Sequence, residues 1–404
     1  MRQSILGLLC ILSILLSGTL SSVQAQHAMP LTFDFYGETI RLNLPDALVL
    51  EYPEALDIQA IHKLHQKLEE ADNEGLVQSL LDFKAKRNLD DWFYYQLIRK
   101  TAQQISPKEK NYYRYTLYKW YLLSKSSYET MLTYSHDKLL FYVRSDELVY
   151  NIPTRIEEGR SFVCLNYHDY QGTIDFEKQS FRSIGLRFNG AHAGFTYQVK
   201  NLPEWKQDRY TEKEVRFRFR EDEYRFQIRL NPEVQQIFKN YPIVDYAYYF
   251  NRPMSSETYR SLIPALRKKL QGMRTKEGVD FLMHFTRYGF LFEPDTKVFG
   301  TEKRMSPEET LLYQQSDCED RAALFFFLVK EIYNLPMLVL SYPEHVTIAV
   351  GFEKPFGNTV LYDGKKYTVC EPTPQNKTLA IGEQLPSLRQ HAYLIAYHYD
   401  PNNP

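Results

Sequence analysis

The sequence predicts an α+β fold in which a buried helix carrying a cysteine packs on an antiparallel sheet. Three observations predict it. Residues 322–329 (AALFFFLV) are apolar all round, which puts that helix inside a domain rather than on its skin. Residues 345–352 (HVTIAVGF) alternate with period two, as a strand with two different faces does. Turn signals at Gly357-Asn358 and Asp363-Gly364 then bring the chain back, and residues 366–370 read as a further strand.

Taken in order, the chain opens on Met1-Arg2, an apolar run over 5–16 and small residues at Val23 and Ala25. These are the parts of a secretory signal peptide over residues 1–25, cut after Ala25, and they predict an exported protein, periplasmic or extracellular. No later apolar stretch approaches a membrane span, because the 322–340 run is broken by Lys330, Glu331 and Pro336.

Residues 26–154 read as an N-terminal α+β domain. A hairpin spans 31–44, with Leu31, Phe33 and Phe35 alternating before Tyr36-Gly37-Glu38 and Ile40, Leu42 and Leu44 after it. Helices are expected at 56–71, 73–86, 89–104 and 107–125, the last opened by a Ser106-Pro-Lys-Glu109 capping box. Strands follow at 139–144 and 147–152. This helix-then-strands order echoes the C-terminal part, where Lys330-Glu-Ile-Tyr333 and Met337-Leu338 stand beside Lys125-Ser-Ser-Tyr128 and Met131-Leu132. A degenerate copy of the same fold, with no cysteine near its helix start, is one reading.

Residues 155–231 read as a small antiparallel β module. Strands at 184–188 and 194–199 flank Asn189-Gly190, and 214–220 pairs with 224–230 across Glu221-Asp222-Glu223. The outward face of that hairpin carries Arg216, Arg218, Arg220, Arg225 and Arg229; a solvated strand face is the plain reading and an anionic polymer the alternative. Residues 232–404 make the last domain, with helices at 256–271 and 275–287 before the cysteine helix.

The charge balance is near neutral, with 49 Lys+Arg against 50 Asp+Glu, so neither nucleic acid nor an anionic membrane is indicated as a partner. Tyrosine is abundant at 32 residues, which suits strand and core use and also a sugar-binding platform. Of the 4 cysteines, Cys10 lies in the apolar leader. The odd remainder marks one free thiol, Cys318, and leaves Cys164–Cys370 as the only possible bridge.

Ser316, three residues before Glu319, reads as a capping box and places Cys318 at the second helical position. Unpaired N–H groups and the positive end of the helix dipole there favour thiolate over thiol. His345 heads a strand face of small side chains (Thr347, Ala349, Gly351), against which the cysteine helix is expected to pack. Glu371 ends the next strand. In an antiparallel meander the two strand ends are neighbours, so thiol, imidazole and carboxylate converge. Asp320 and Arg321 read as site-supporting, a salt bridge or loop clamp. The acidic cluster Asp317, Glu319 and Asp320 lacks a calcium-loop signature, so no metal is expected, and nothing calls for another cofactor.

Cys318-Glu-Asp-Arg-Ala322 on a helix, Pro343-Glu-His345 before a strand and Glu371-Pro-Thr373 after the next resemble bacterial transglutaminase-like proteins. The run-in of Phe285-Thr-Arg-Tyr-Gly-Phe290, Asp295, Gly300-Thr-Glu302 and Ser306-Pro-Glu-Glu-Thr-Leu311 matches as well, so the likeness covers roughly 235–385. It implies a papain-like Cys-His-acid core, with Glu371 where aspartate is usual. It also implies an oxyanion site made of the Cys318 backbone N–H and one side chain, Tyr288 or Gln315. The expected activity is that of an exported cysteine-dependent amide-bond enzyme, a thiol hydrolase or acyl transferase working through a thioester. Its substrate would be a peptide, a protein or cell-wall peptide. The alternative is an inactive fold that binds such a peptide.

Overall fold

Alternation in the sequence becomes structure at once: β1 (Ala28–Phe35) and β2 (Glu38–Pro45) pair antiparallel and bury Leu31, Phe33, Phe35, Ile40, Leu42 and Leu44 on one face. A computed structural model describes residues 28–71, 74–170, 172–289, 291–292, 303–313, 315–375 and 378–402. The expected signal peptide and Cys10 lie outside the described residues, as do Phe290, Asp295 and 300–302 of the run-in.

Four helices follow the hairpin: α1 (Ile58–Glu70), α2 (Glu74–Lys86), α3 (Asp91–Ile105) and α4 (Tyr112–Lys125). The capping box expected at Ser106 does not form. Ser106 closes α3, its N–H donating to Ala102 O at 2.8 Å, and residues 107–111 turn. Asn111 caps α4 instead, its side chain accepting from the Arg114 N–H at 2.9 Å.

The chain then lays down β3 (Thr130–Ser135), β4 (Lys138–Arg144), β5 (Val149–Tyr150), β6 (Thr154–Glu157), β7 (Arg160–Cys164) and β8 (Arg182–Ser183). All but β5 form one antiparallel sheet in the order β6-β7-β4-β3-β8. The strands expected at 184–188 and 194–199 are absent, apart from a bridge at Ala193. That segment satisfies its backbone from carboxylates: Asp91 Oδ2 accepts from Thr196 N, Glu147 Oε2 from Tyr197 N, and Asp90 Oδ2 from Lys200 N and Asn201 N. With those N–H groups already engaged, no ladder is needed.

Next come β9 (Thr211–Phe219) and β10 (Asp222–Leu230), joined by a two-residue turn at Arg220-Glu221 with Arg220 at φ +58. The turn lies one residue earlier than expected. This hairpin packs on helices of the C-terminal half, so residues 155–231 give strands to two separate places. Its arginine face is exposed but not bare: Arg216 pairs with Glu214, Arg225 with Glu223, Arg220 with Glu277 and Arg229 with Glu257.

The remaining elements are α5 (Glu233–Phe238), β11 (Ile243–Val244), α6 (Tyr246–Phe250), α7 (Ser256–Leu270), α8 (Thr275–Tyr288), β12 (Leu291–Phe292), α9 (Pro307–Leu312), β13 (Gln315–Ser316) and α10 (Cys318–Tyr333). They are followed by β14 (Met337–Tyr342), β15 (His345–Val350), β16 (Thr359–Tyr362), β17 (Lys365–Cys370) and β18 (Leu394–Tyr399). β10 lies on α7 and β9 on α8, while β11 pairs with β5. The second sheet runs β16-β17-β15-β14-β18.

The molecule is α+β, and its two five-stranded sheets share one plan. In each a buried helix leads into a hairpin with a two-residue turn. The second hairpin strand then pairs with a later strand, and the last strand of the set returns to the first. One continuous apolar core runs from β1 to α10, and the α10 residues Ala322–Val329 are all buried within it.

Candidate active site

Cys318 is the first residue of α10, and the cap is Asp317, whose Oδ1 accepts from the Asp320 N–H at 3.1 Å. The Ser316–Glu319 box is therefore not the cap. The Ser316 hydroxyl is buried and has no hydrogen-bond partner among the described residues. Glu319 turns instead to Arg304 Nε at 2.9 Å and the Tyr246 hydroxyl at 2.9 Å. A guanidinium holds a carboxylate more strongly than a backbone amide does. A capping box does exist one helix earlier, between Ser306 and Glu309 at the start of α9.

β15 begins at His345 and its antiparallel neighbour β17 ends at Cys370, so both termini lie at one end of the sheet. The ladder between them stops at Ile348 opposite Cys370. Past that pair the strands part, and the Val346 N–H comes near enough to the Cys318 sulfur to favour its anion. His345 Nε2 lies 2.8 Å from Glu371 Oε2, and Glu371 Oε1 accepts from the Thr373 N–H at 2.9 Å. Both carboxylate oxygens are thus fixed, which absorbs the longer reach of glutamate. With Nε2 held by the acid, Nδ1 is the ring nitrogen left for the thiol proton. Among the described residues no hydrogen bond joins the sulfur to the imidazole.

The face on which α10 packs is not the one expected. Val346, Ile348 and Val350 share the large core with the α10 side chains, whereas Ala349 joins Leu338, Leu340 and Tyr342 in a separate cluster. The helix therefore lies against the bulky face. Cys318 meets the histidine strand at its end, where the ladder opens, not across the small residues.

Two buried arginines frame this corner. Arg321, one turn into α10, donates from Nη1 to Thr286 O and Arg287 O, both at 2.8 Å, at the C-terminal end of α8. Arg287 in turn donates from Nε to Glu371 O at 2.7 Å and from Nη1 to Leu379 O at 2.6 Å. The thiol helix and the acid-bearing strand end are thereby tied through α8. Asp320 supports the other side, its Oδ1 accepting from the Tyr249 hydroxyl at 3.0 Å and the Met305 N–H at 2.8 Å. Arg287 could have been noticed in the sequence as a charge on the apolar stripe of α8, four residues after Met283. Nothing in the sequence marked the Val346 N–H.

The electrostatics correct the expectation of a thiolate. Burial first, then the Asp317 carboxylate, push the Cys318 thiol well above its ordinary value; Glu319 and Glu371 add to this and the Val346 N–H works against it. Three carboxylates outweigh the partial positive charge of a helix end. The resting state is the thiol. Arg321 is lowered to about 10 by burial, with Asp320 and Asp317 opposing.

The other predicted residues fare differently. The Tyr288 hydroxyl is engaged with Thr378 Oγ1 at 3.1 Å and its ring is partly exposed. The Gln315 backbone pairs with Leu291, and its side chain lies outside the described residues. Cys164 and Cys370 are free and buried in different sheets, so no bridge joins them. Among the described residues no group of three or more His, Cys, Asp or Glu is placed to hold a metal ion, and no helix is long and apolar enough to cross a membrane.

The first sheet carries the same corner with other side chains. Tyr112 is the first residue of α4, and Lys138 the first of β4, as Cys318 and His345 are of α10 and β15. Lys138 sits opposite Ser135 as His345 sits opposite Tyr342. Asn166 follows Leu165, whose N–H donates to Phe141 O, as Glu371 follows Cys370 opposite Ile348. Asn166 is fully buried and spends its amide on Tyr112 OH, Leu139 O and the Phe141 N–H, at 2.9, 2.9 and 2.8 Å. A phenol fills the place of the thiol. Compared with protein-family models, curated proteins and solved structures, the chain matches none.

Proposed function

We propose that the C-terminal half is a transglutaminase-like, papain-type centre and that the protein is an exported cysteine-dependent amide-bond enzyme. The observation that carries this reading is the 2.8 Å contact of His345 Nε2 with Glu371 Oε2, set beside a cysteine whose sulfur meets the very next backbone N–H. Because the resting sulfur is protonated, His345 acts as a general base and not as one half of a standing ion pair. Its Nδ1 takes the thiol proton as sulfur attacks the amide carbonyl, and Glu371 stabilises the imidazolium. The Cys318 N–H at the helix start, with no partner among the described residues, faces the developing oxyanion. The imidazolium returns the proton to the leaving amine, and water or a second amine resolves the thioester.

The test is acid-quenched intact-mass analysis after incubation with peptide amides, including cell-wall peptides. The expected result is an acyl adduct on Cys318 that is missing in Cys318→Ala and His345→Ala. Unmodified protein together with intact substrate across the panel would remove the reading. A second reading, a peptide-binding protein on a retired enzyme fold, is favoured by the carboxylates that hold the thiol protonated. It predicts substrate binding without any adduct.

A further inference from the structure

One cavity lies away from the Cys318 sulfur, and Cys318 is not among its described lining residues. It has a volume of about 690 Å³ and opens between the two halves, within the range of small-ligand sites. One wall is Cys164, Leu165 and Tyr167, the residues flanking Asn166 in the first sheet. The opposite wall includes Arg304, whose Nε holds Glu319 beside Cys318.

Three properties of the lining point to a ligand. Cations are present in Lys239, Lys303 and Arg304, and no aspartate or glutamate is found among the described lining residues. Lys239 is exposed and makes no ion pair among the described residues. Second, aromatic rings line it (Trp92, Tyr150, Tyr241), with the amides of Asn151, Gln235 and Asn240 beside them. Third, Tyr197 also lines the cavity and is 1% exposed, yet its hydroxyl has no hydrogen-bond partner among the described residues. A buried hydroxyl left unsatisfied is destabilising unless something completes it.

We infer that this cavity binds a carboxylate-bearing saccharide. The exposed Tyr150 ring matches the C–H face of a pyranose, side-chain amides match its paired hydroxyls, and described lining residues that include lysine and no acid match a carboxylate. The site does not depend on Cys318 being reactive.

The experiment is calorimetric titration of the full chain carrying Cys318→Ala, so that failure of the amide chemistry cannot affect the outcome. The probes are the glucuronate–N-acetylglucosamine disaccharide, its counterpart with glucose for glucuronate, and triglutamate. The acidic disaccharide is expected to bind at least tenfold tighter than the neutral one. Lys239→Gln is expected to erase that preference. Tyr197→Phe should weaken both sugars about tenfold without lowering the melting temperature, since it deletes an unsatisfied hydroxyl. Equal binding of the two sugars, tighter binding of triglutamate, absence of heat with either sugar, or variants without effect would each overturn the assignment.

Discussion

The two sheet-and-helix corners of this molecule are built alike and equipped differently. In the second, the first residue of the helix is a cysteine, the first residue of the hairpin strand a histidine, and the residue past the next strand a glutamate. In the first, the same three places hold Tyr112, Lys138 and Asn166. Tyr112 and Asn166 hydrogen-bond to each other, and their remaining bonds go to the Asp169 carboxylate and to nearby backbone. The Cys318 corner leaves its sulfur with one weak N–H contact and its histidine with one open nitrogen. Identical scaffolding therefore does not carry the chemistry. What separates the corners is whether the three side chains spend their hydrogen bonds on one another and the backbone or keep one in reserve.

The largest expected effect tests that contrast directly. Cys318→Ala should lower amide turnover by at least about 10³-fold, as loss of a nucleophile does. Tyr112→Phe should leave turnover within roughly twofold. Comparable losses in the two variants, measured by steady-state rates, would mean that both corners work. Glu371→Gln should keep the geometry but remove the charge that steadies the imidazolium, lowering kcat by about 10- to 100-fold with KM little changed. A change in KM alone would make Glu371 a structural residue.

A third test concerns stability in the first half. Lys119 is fully buried, has no hydrogen-bond partner for its amine among the described residues and lies over the Tyr115 ring; burial lowers it to about 7. Between about pH 7 and the unfolded value of 10.5 the unfolded chain holds the extra proton, so this group's penalty is full below pH 7 and fades as pH rises. Lys119→Met should therefore stabilise the protein at pH 7 by roughly 2–4 kcal/mol, and by less at pH 9.5, read from urea melts. The smallest effect is at the live corner. Asp317→Asn preserves a capping side chain but removes the charge nearest the thiol. Iodoacetamide labelling of Cys318 at pH 8 should then rise about three- to tenfold. An unchanged rate would show that burial alone sets the thiol.

What the sequence disclosed depended on whether the determining interaction was local. The hairpins at 28–45 and 211–230 were legible because period-two burial is written into consecutive residues. The sites of Cys318, His345 and Glu371 were legible because helix start, strand start and strand end each carry their own pattern. The helix caps misled, since a serine followed by a glutamate is only an offer: Arg304 took Glu319 and Asp317 became the cap. The strand at 194–199 was misread because Asp91 and Glu147, distant in sequence, satisfy the backbone at Thr196 and Tyr197. β16 and β18 went unforeseen for a related reason, as neither segment records which strand it will pair with. The matching strand order of the two sheets is a property of pairing, and only faint echoes of it reach the residues.

The arginine tie between α10, α8 and the Glu371 corner has a further consequence. Its acceptors are peptide carbonyls, which neither titrate nor exchange counterions. Brine that screens surface ion pairs should leave it intact, and so should acid strong enough to protonate Glu371. Under such conditions amide turnover at the proposed centre is expected to stop while its framework stands, and to return on neutralisation without refolding.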